Sequence, residues 1–406
     1  MKSLLTLLFP LIVVQGALAV QPSSNPADQT EAVNGSNAFA VDLYGQLSKQ
    51  PGNLFFSPES ISTAFGMAYA GARGQTATQM EHVFHFTLPP DRLHPAMGAL
   101  LARMNAPHKG YELRVADALW AQQDASFQAS YLKLVQSDYG AGFHRVDFKL
   151  SPDTVRATIN AWVEKQTNDK IKDLLSPGVL NSSTRLVLTN AIYFKGNWRD
   201  QFDKEATQKE EFHLSATQWI MSPMMHRTDG YRYYDGGTLQ ALELPYAGDE
   251  IAMVVLLPKE RDGLPALEQS FASGAAGDWI QKLDFVDKVI LTLPRFTMTQ
   301  QFELSSALSA MGMPQAFSSG ADFSGMTGKP EFTIGAAIHK AYIDVNEQGT
   351  EAAAATAIVM RATAARQEFP EPPPIVFRAD HPFLFILLDT RSGSMLFLGR
   401  VADPTK

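Results

Sequence analysis

Cysteine is missing from all 406 residues. Its absence excludes disulfides, a thiolate nucleophile, any cysteine-ligated metal and the lipid-modified type of bacterial signal peptide. A chain of this length can do without disulfides, because 45% hydrophobic residues supply a sizeable core. Apolar runs long enough to span a membrane are missing too. The longest near the start, Leu4–Val14, follows Lys2 and precedes the small-x-small triplet Ala17-Leu18-Ala19. Residues 1–19 therefore read as a cleaved secretory signal, with an uncleaved anchor as the alternative. Its removal takes the formal net charge from −8 to −9, since Lys2 is its one charge. An acidic surface keeps a protein soluble and argues against nucleic acid as a partner. Two sequons, at Asn34 and Asn181, matter only in a glycosylating pathway.

Catalytic signatures are absent as well. There is no G-x-S-x-G elbow, phosphate loop, G-x-G-x-x-G or H-E-x-x-H. His82 and His85 stand three apart beside Glu81, but Val83, Phe84 and Phe86 interleave and no third ligand follows at metal spacing. They read as packing or surface histidines. Ser324 lacks the strand context of a nucleophile. No catalytic residue, metal or cofactor is expected.

What is present is a mixture of helical and strand patterns without regular alternation, which argues α+β. Residues 20–36 are polar and read as a loose leader. Helices are expected over Asn37–Leu47, Glu59–Ala72, Arg92–Met104, Ser126–Tyr139, Thr154–Leu175, Leu264–Ser270 and Glu303–Met311. Strands are expected over Asn53–Phe56, Tyr111–Ala121, Leu186–Phe194, Leu239–Leu244, Ile251–Leu257, Val289–Pro294, Phe332–Ile343, Ile375–Phe377, Phe383–Leu388 and Met395–Leu398. No linker divides the chain before Glu368–Pro374, so residues 37–406 read as one domain.

One stretch stands apart. Thr350–Ala362 is built almost wholly of small uncharged residues, and a proline-rich segment follows it. With a period of two, Thr350, Ala352, Ala354, Thr356, Ile358, Met360 and Ala362 share a face, while Glu351 and Arg361 fall on the other. Such a strand could enter a sheet with both charges left in water. The same letters suit an exposed helix or a linker, and alanine's scarcity in ordinary strands favours those two.

Five separated segments resemble one family, the serpins, in that family's order. They are Asn53-Leu54-Phe55-Phe56-Ser57-Pro58-Glu59-Ser60-Ile61; Thr189 through Trp198 (TNAIYFKGNW); Phe317 through Gly325 (FSSGADFSG); His339-Lys340 with Glu347-Gln348-Gly349-Thr350-Glu351; and Asp380–Phe385 through Phe397–Val401. The resemblance covers roughly residues 37–405 and points to a secreted inhibitory member of bacterial type. It implies three β-sheets, eight or nine helices and an exposed reactive loop at about 347–376. It also implies a suicide substrate for a serine protease. The cut loop enters the central sheet as a new strand and traps the acyl-enzyme, so catalysis belongs to the target. A non-inhibitory member that binds or chaperones is the alternative.

Residue roles follow from the same resemblance. Glu347, Gly349, Thr350, Ala352, Ala354 and Thr356 are the expected hinge and inserting face. Ser57, Ser60, Asn190 and His339 are expected under the sheet where strands must part. Trp198 is expected where insertion begins, and Arg295 as the basic partner of Glu347. Counting seventeen residues inclusively from Glu347 places the reactive bond at Thr363–Ala364. Small residues there suit an elastase-like or subtilisin-like extracellular protease. Arg361–Ala362 and Arg366–Gln367 are trypsin-like alternatives. The loop is longer than usual and stiffened by Pro370, Pro372, Pro373 and Pro374. The protein is expected to act as a monomer, with neither nucleic acid nor membrane as partner.

Overall fold

The structure is a computed structural model that describes residues 24–140, 142–350 and 373–406. In chain order its first half holds α1 (Pro26–Leu47), β1 (Leu54–Phe56), α2 (Pro58–Tyr69), α3 (Gly74–Phe84), α4 (Pro90–Met104), β2 (Tyr111–Gln122), α5 (Ala129–Tyr139), β3 (Phe143–Val146), α6 (Pro152–Gln166) and β4 (Leu186–Asn197). Then come β5 (Gln208–His213), β6 (Trp219–Asp235), β7 (Leu239–Pro245), β8 (Ile251–Pro258), α7 (Leu264–Ala272), α8 (Ala276–Gln281), β9 (Asp284–Pro294) and β10 (Phe296–Glu303). The chain closes with α9 (Ser305–Met311), α10 (Ser324–Thr327), β11 (Ala336–Asn346), β12 (Gly349–Thr350), β13 (Ile375–Arg378), β14 (Phe383–Asp389) and β15 (Ser394–Val401). The α+β reading holds.

Among the described residues the strands connect into two sheets. One has six strands in the order β10-β11-β12-β4-β2-β3; the other has nine, β1-β15-β14-β8-β7-β6-β9-β13 with β5 beside β6. The third sheet that the resemblance implies is continuous with the second through the long strand β6. Before Gly230 that strand pairs with β5 and β9, and after it with β7 and β9, with the register shifting between Asp229 and Tyr231. A Cβ at Gly230 would sit 2.5 Å from the tip of the exposed Phe285 ring, which would have to move aside.

The six-stranded sheet is covered on both faces. Leu188, Ile192, Phe194, Ala337, Ala341 and Ile343 join the main core against α1 and α2, whereas Val187, Ala191, Ala336 and Ile338 pack in a second cluster with Ile159 and Val163 of α6. That explains the unbroken apolar run of β4, since a strand buried on both faces has no polar alternation to show. Every residue of α2 is buried.

Two expectations are corrected. Residues 26–36 are helical, not loose: Asn25 accepts a hydrogen bond from the Ala27 N–H at 3.0 Å, and Pro26 starts the first turn. The helix expected over Thr154–Leu175 ends at Gln166, because Asn168, Asp169 and Asp173 take positive φ. Asn and Asp enter that region more readily than other side chains. Ile171, Leu174 and Leu175 still reach the core, carried by a turn that Asn160 clamps, with its Oδ1 accepting from the Leu175 N–H at 2.8 Å.

Candidate functional site: a seam in the six-stranded sheet

Strands β4 and β11 pair directly and in parallel from Val187↔Ala336 to Tyr193↔Tyr342. Above Tyr342 they part, and β12 fills the gap, antiparallel to both: Thr350 opposes Val345 and Gly196, and Gly349 opposes Asn346 and Asn197. The turn into β12 is set locally, with the Asn346 side chain accepting from the Gln348 N–H at 3.0 Å. A Cβ on Gly349 would lie 2.0 Å from the Gly196 carbonyl oxygen, so no larger residue fits between these backbones.

Several predicted residues meet at this end of the seam. The indole Nε1–H of Trp198 donates to the Asn346 carbonyl at 2.9 Å, and its backbone N–H donates to that of Gln348 at 2.8 Å. Its ring stacks on Tyr246 with centroids 4.4 Å apart. The Tyr246 hydroxyl bonds the hydroxyl of Thr350 at 2.7 Å, and both residues are fully buried. Glu347 is buried as well, and its nearest partner is the Thr207 hydroxyl, which donates to Oε1 at 2.8 Å. Arg295 does face Glu347, at 3.6 Å, but it is half exposed, so this pair adds little by itself. Thr207 and Tyr246 escaped the sequence reading, which had no periodic or motif signal for either.

Tyr246→Phe would leave the Thr350 hydroxyl buried without a partner. The expected loss is about 1 kcal/mol of hinge stability, read as faster amide exchange at Gly349 and Thr350 with the rest of the sheet unchanged.

Farther down, a buried polar cluster crosses the seam. Ser57 caps α2, its Oγ accepting from the Ser60 N–H at 3.3 Å, while its own N–H donates to His339 Nε2 at 3.2 Å. Because Nε2 accepts, the imidazole proton sits on Nδ1, which donates to Asn190 Oδ1 on the facing strand. Burial pushes the His339 pKa down to about 3, so the ring is neutral. The Asn190 amide donates in turn to Ser60 Oγ and to Asp117 Oδ1. Thus Ser57, Ser60, Asn190 and His339 do come together, and Asp117, on β2, is a fifth member that the sequence did not reveal. Ala352, Ala354, Thr356, the Thr363–Ala364 bond and the alternatives Arg361 and Arg366 lie outside the described residues. His82 and His85 sit elsewhere, where His85 caps α3 and pairs with Asp42 at 2.8 Å.

Comparison with known proteins gives a consistent picture. The family profile described as Serpin (serine protease inhibitor) matches residues 34–404. Human leukocyte elastase inhibitor is 40% identical over 377 residues, covering 90% of this chain and 97% of its own. Uncleaved ovalbumin superposes with a TM-score of 0.81 at 30% identity, over 92% of this chain and 100% of its own. A loop-inserted form of a cleaved ovalbumin mutant superposes with the same TM-score, identity and coverage.

Proposed function

Because the chain belongs to the serpin family, we propose that it is a secreted inhibitor of serine proteases, acting as a suicide substrate whose cut loop enters the seam between β4 and β11. One observation carries this reading. In the uncut chain Gly349 and Thr350 are already paired with both β4 and β11, so the first two residues of the new strand are in place.

Extending that register gives each following residue its neighbours. Ala352 would lie between Phe194 and Ile343, Ala354 between Ile192 and Ala341, Thr356 between Asn190 and His339, and Ile358 between Leu188 and Ala337. All eight of these sheet residues are buried. Small or apolar loop residues suit the six apolar positions, and Thr356 suits the polar pair. Its hydroxyl both donates and accepts, so it can stand between His339 Nδ1 and Asn190 Oδ1 once the strands separate. Glu351, on the other face, would come between Lys195 of β4 and Asp344 of β11. No charge meets the main core. Catalysis is the target's, and the protein supplies a substrate loop and a spring.

The target in this reading is an extracellular elastase-like or subtilisin-like enzyme, with a trypsin-like one as the alternative. Secretion is part of the same proposal and rests on residues 1–19. Incubation with elastase, subtilisin and trypsin is expected to give, with at least one of them, a covalent complex that survives boiling in detergent. The new amino terminus should begin at Ala364. Clean cleavage by every protease, without complex, would overturn inhibition in favour of a binding or chaperone role.

A further inference from the structure

Asp117 is the odd member of the polar cluster. Its Oδ1 accepts from the Ser60 hydroxyl at 3.2 Å and from the Asn190 amide, but its Oδ2 is buried with no hydrogen-bond partner. The side chains of Ser57, Ser60, Asn190 and His339 carry no such orphan atom. The side chains that hydrogen-bond to it are uncharged. Helix α2 presents Ser57 and Ser60, β4 presents Asn190, and β11 presents the neutral His339 beyond it. Toward β3, Gly142 lies against the Asp117 backbone carbonyl. Among the described residues, no arginine or lysine pairs with it.

A carboxylate placed there would have lost its water with no cation in return, which burial makes costly. Burial therefore favours the neutral acid and raises its pKa well above the ordinary aspartate range. Its position gives that proton a mechanical consequence. Asp117 and Ser60 together hold the Asn190 amide nitrogen, which leaves Asn190 Oδ1 turned to His339, and that bond links β4 to β11 across the seam.

We propose that Asp117 is a proton-operated clasp: as the neutral acid it steadies the Asn190–His339 bond and keeps the seam shut, and as the carboxylate it drives the seam open toward water. The proposal rests on the reading of this seam as a gap that opens, and is independent of which protease cuts the loop. Asp117 is thus a positioning residue, acting on insertion through Asn190.

The sign follows from proton binding. The closed form holds a proton that the open or unfolded form releases, so its added stability is present at low pH and is lost as pH rises through the raised pKa. His339 works in the opposite direction: held neutral to about pH 3 against an ordinary 6.5, its contribution disappears as pH falls below about 6.5. A comparison with Asp117→Asn separates the two, since asparagine keeps the shape and the accepting oxygen but cannot ionise.

The measurement is amide exchange of residues 338–342 in the intact chain, without protease, from about pH 5 to about pH 9. The wild-type-to-variant ratio of opening constants is expected to be lowest at the acid end. It should climb by up to about tenfold per pH unit, the limit for one proton, from the ordinary aspartate range to the raised pKa of Asp117, and level off above it. A ratio that stays constant with pH overturns the clasp. If Asp117→Asn does not fold, the wild-type profile above about pH 6.5, where His339 is neutral in both forms, decides: opening that does not accelerate there, after correction for intrinsic exchange, overturns it too. A constant ratio in a protein that still forms covalent complexes sinks the clasp alone. A rising ratio in a protein that forms none sinks only the inhibitor reading.

Discussion

Aspartate in place of Ala354 is expected to turn the inhibitor into a substrate. The register set by Gly349 and Thr350 brings position 354 between Ile192 and Ala341, neither of which has any exposed surface. A carboxylate entering there loses its water and meets no cation, a penalty of several kcal/mol. In the proposed mechanism, insertion and hydrolysis of the acyl-enzyme compete once the loop is cut. Every ~1.4 kcal/mol added to the insertion barrier shifts that competition tenfold toward hydrolysis. The covalent complex should therefore fall on the order of a hundredfold or more, with cleaved inhibitor and active protease in its place. In the proposed mechanism position 354 enters the sheet only after the cut, so the uncut protein should keep its melting temperature. Titration of a fixed amount of protease with Ala354→Asp reads both products on one gel. Inhibition at the wild-type stoichiometry would show that the inserting face or its register is misassigned.

Cutting the wild-type loop is expected to raise the melting temperature greatly. Insertion replaces the seven parallel β4–β11 pairs with two antiparallel ladders, one on each side of the new strand. The added strand of about ten residues contributes hydrogen bonds at roughly 1 kcal/mol net each. Burial of Ile358 and Met360 adds roughly 1.5–3 kcal/mol apiece at most. The total, on the order of 10–20 kcal/mol, is as large as the whole stability of an ordinary domain. Even at a degree or two per kcal/mol for a chain of this size, the shift reaches about 20 °C. A catalytic amount of elastase or subtilisin followed by calorimetry measures it. An unchanged midpoint would mean that the cut segment stays outside, and would favour a binding role over inhibition.

Both predictions use the seam, and the sequence and the structure contributed differently to it. The motif Asn53–Ile61 and the run Thr189–Trp198 mark α2 and β4 plainly, because a capped helix start and a doubly buried strand each have local signatures. Trp198, Asn190, His339 and Glu347 were reachable through family resemblance, and the structure brings them to one seam. The helix start at Asn25-Pro26 was legible too, as a cap followed by proline, but the polar composition around it masked the signal. The break after Gln166 was not, since Asn168 and Asp169 differ from helix residues only in tolerating positive φ.

Chain order alone determined that the protein is α+β and that one uncharged face precedes a proline-rich segment. These are properties of composition and period, which neighbours in sequence fix. Only the tertiary structure decided that Gly349 and Thr350 lie inside the sheet, that Tyr246 and Thr207 hold the hinge, and that Asp117 stands without a cation beneath it. Each of these depends on strands far apart in the chain coming within hydrogen-bonding distance. An orphaned oxygen or a gap between β4 and β11 exists only once those strands have met.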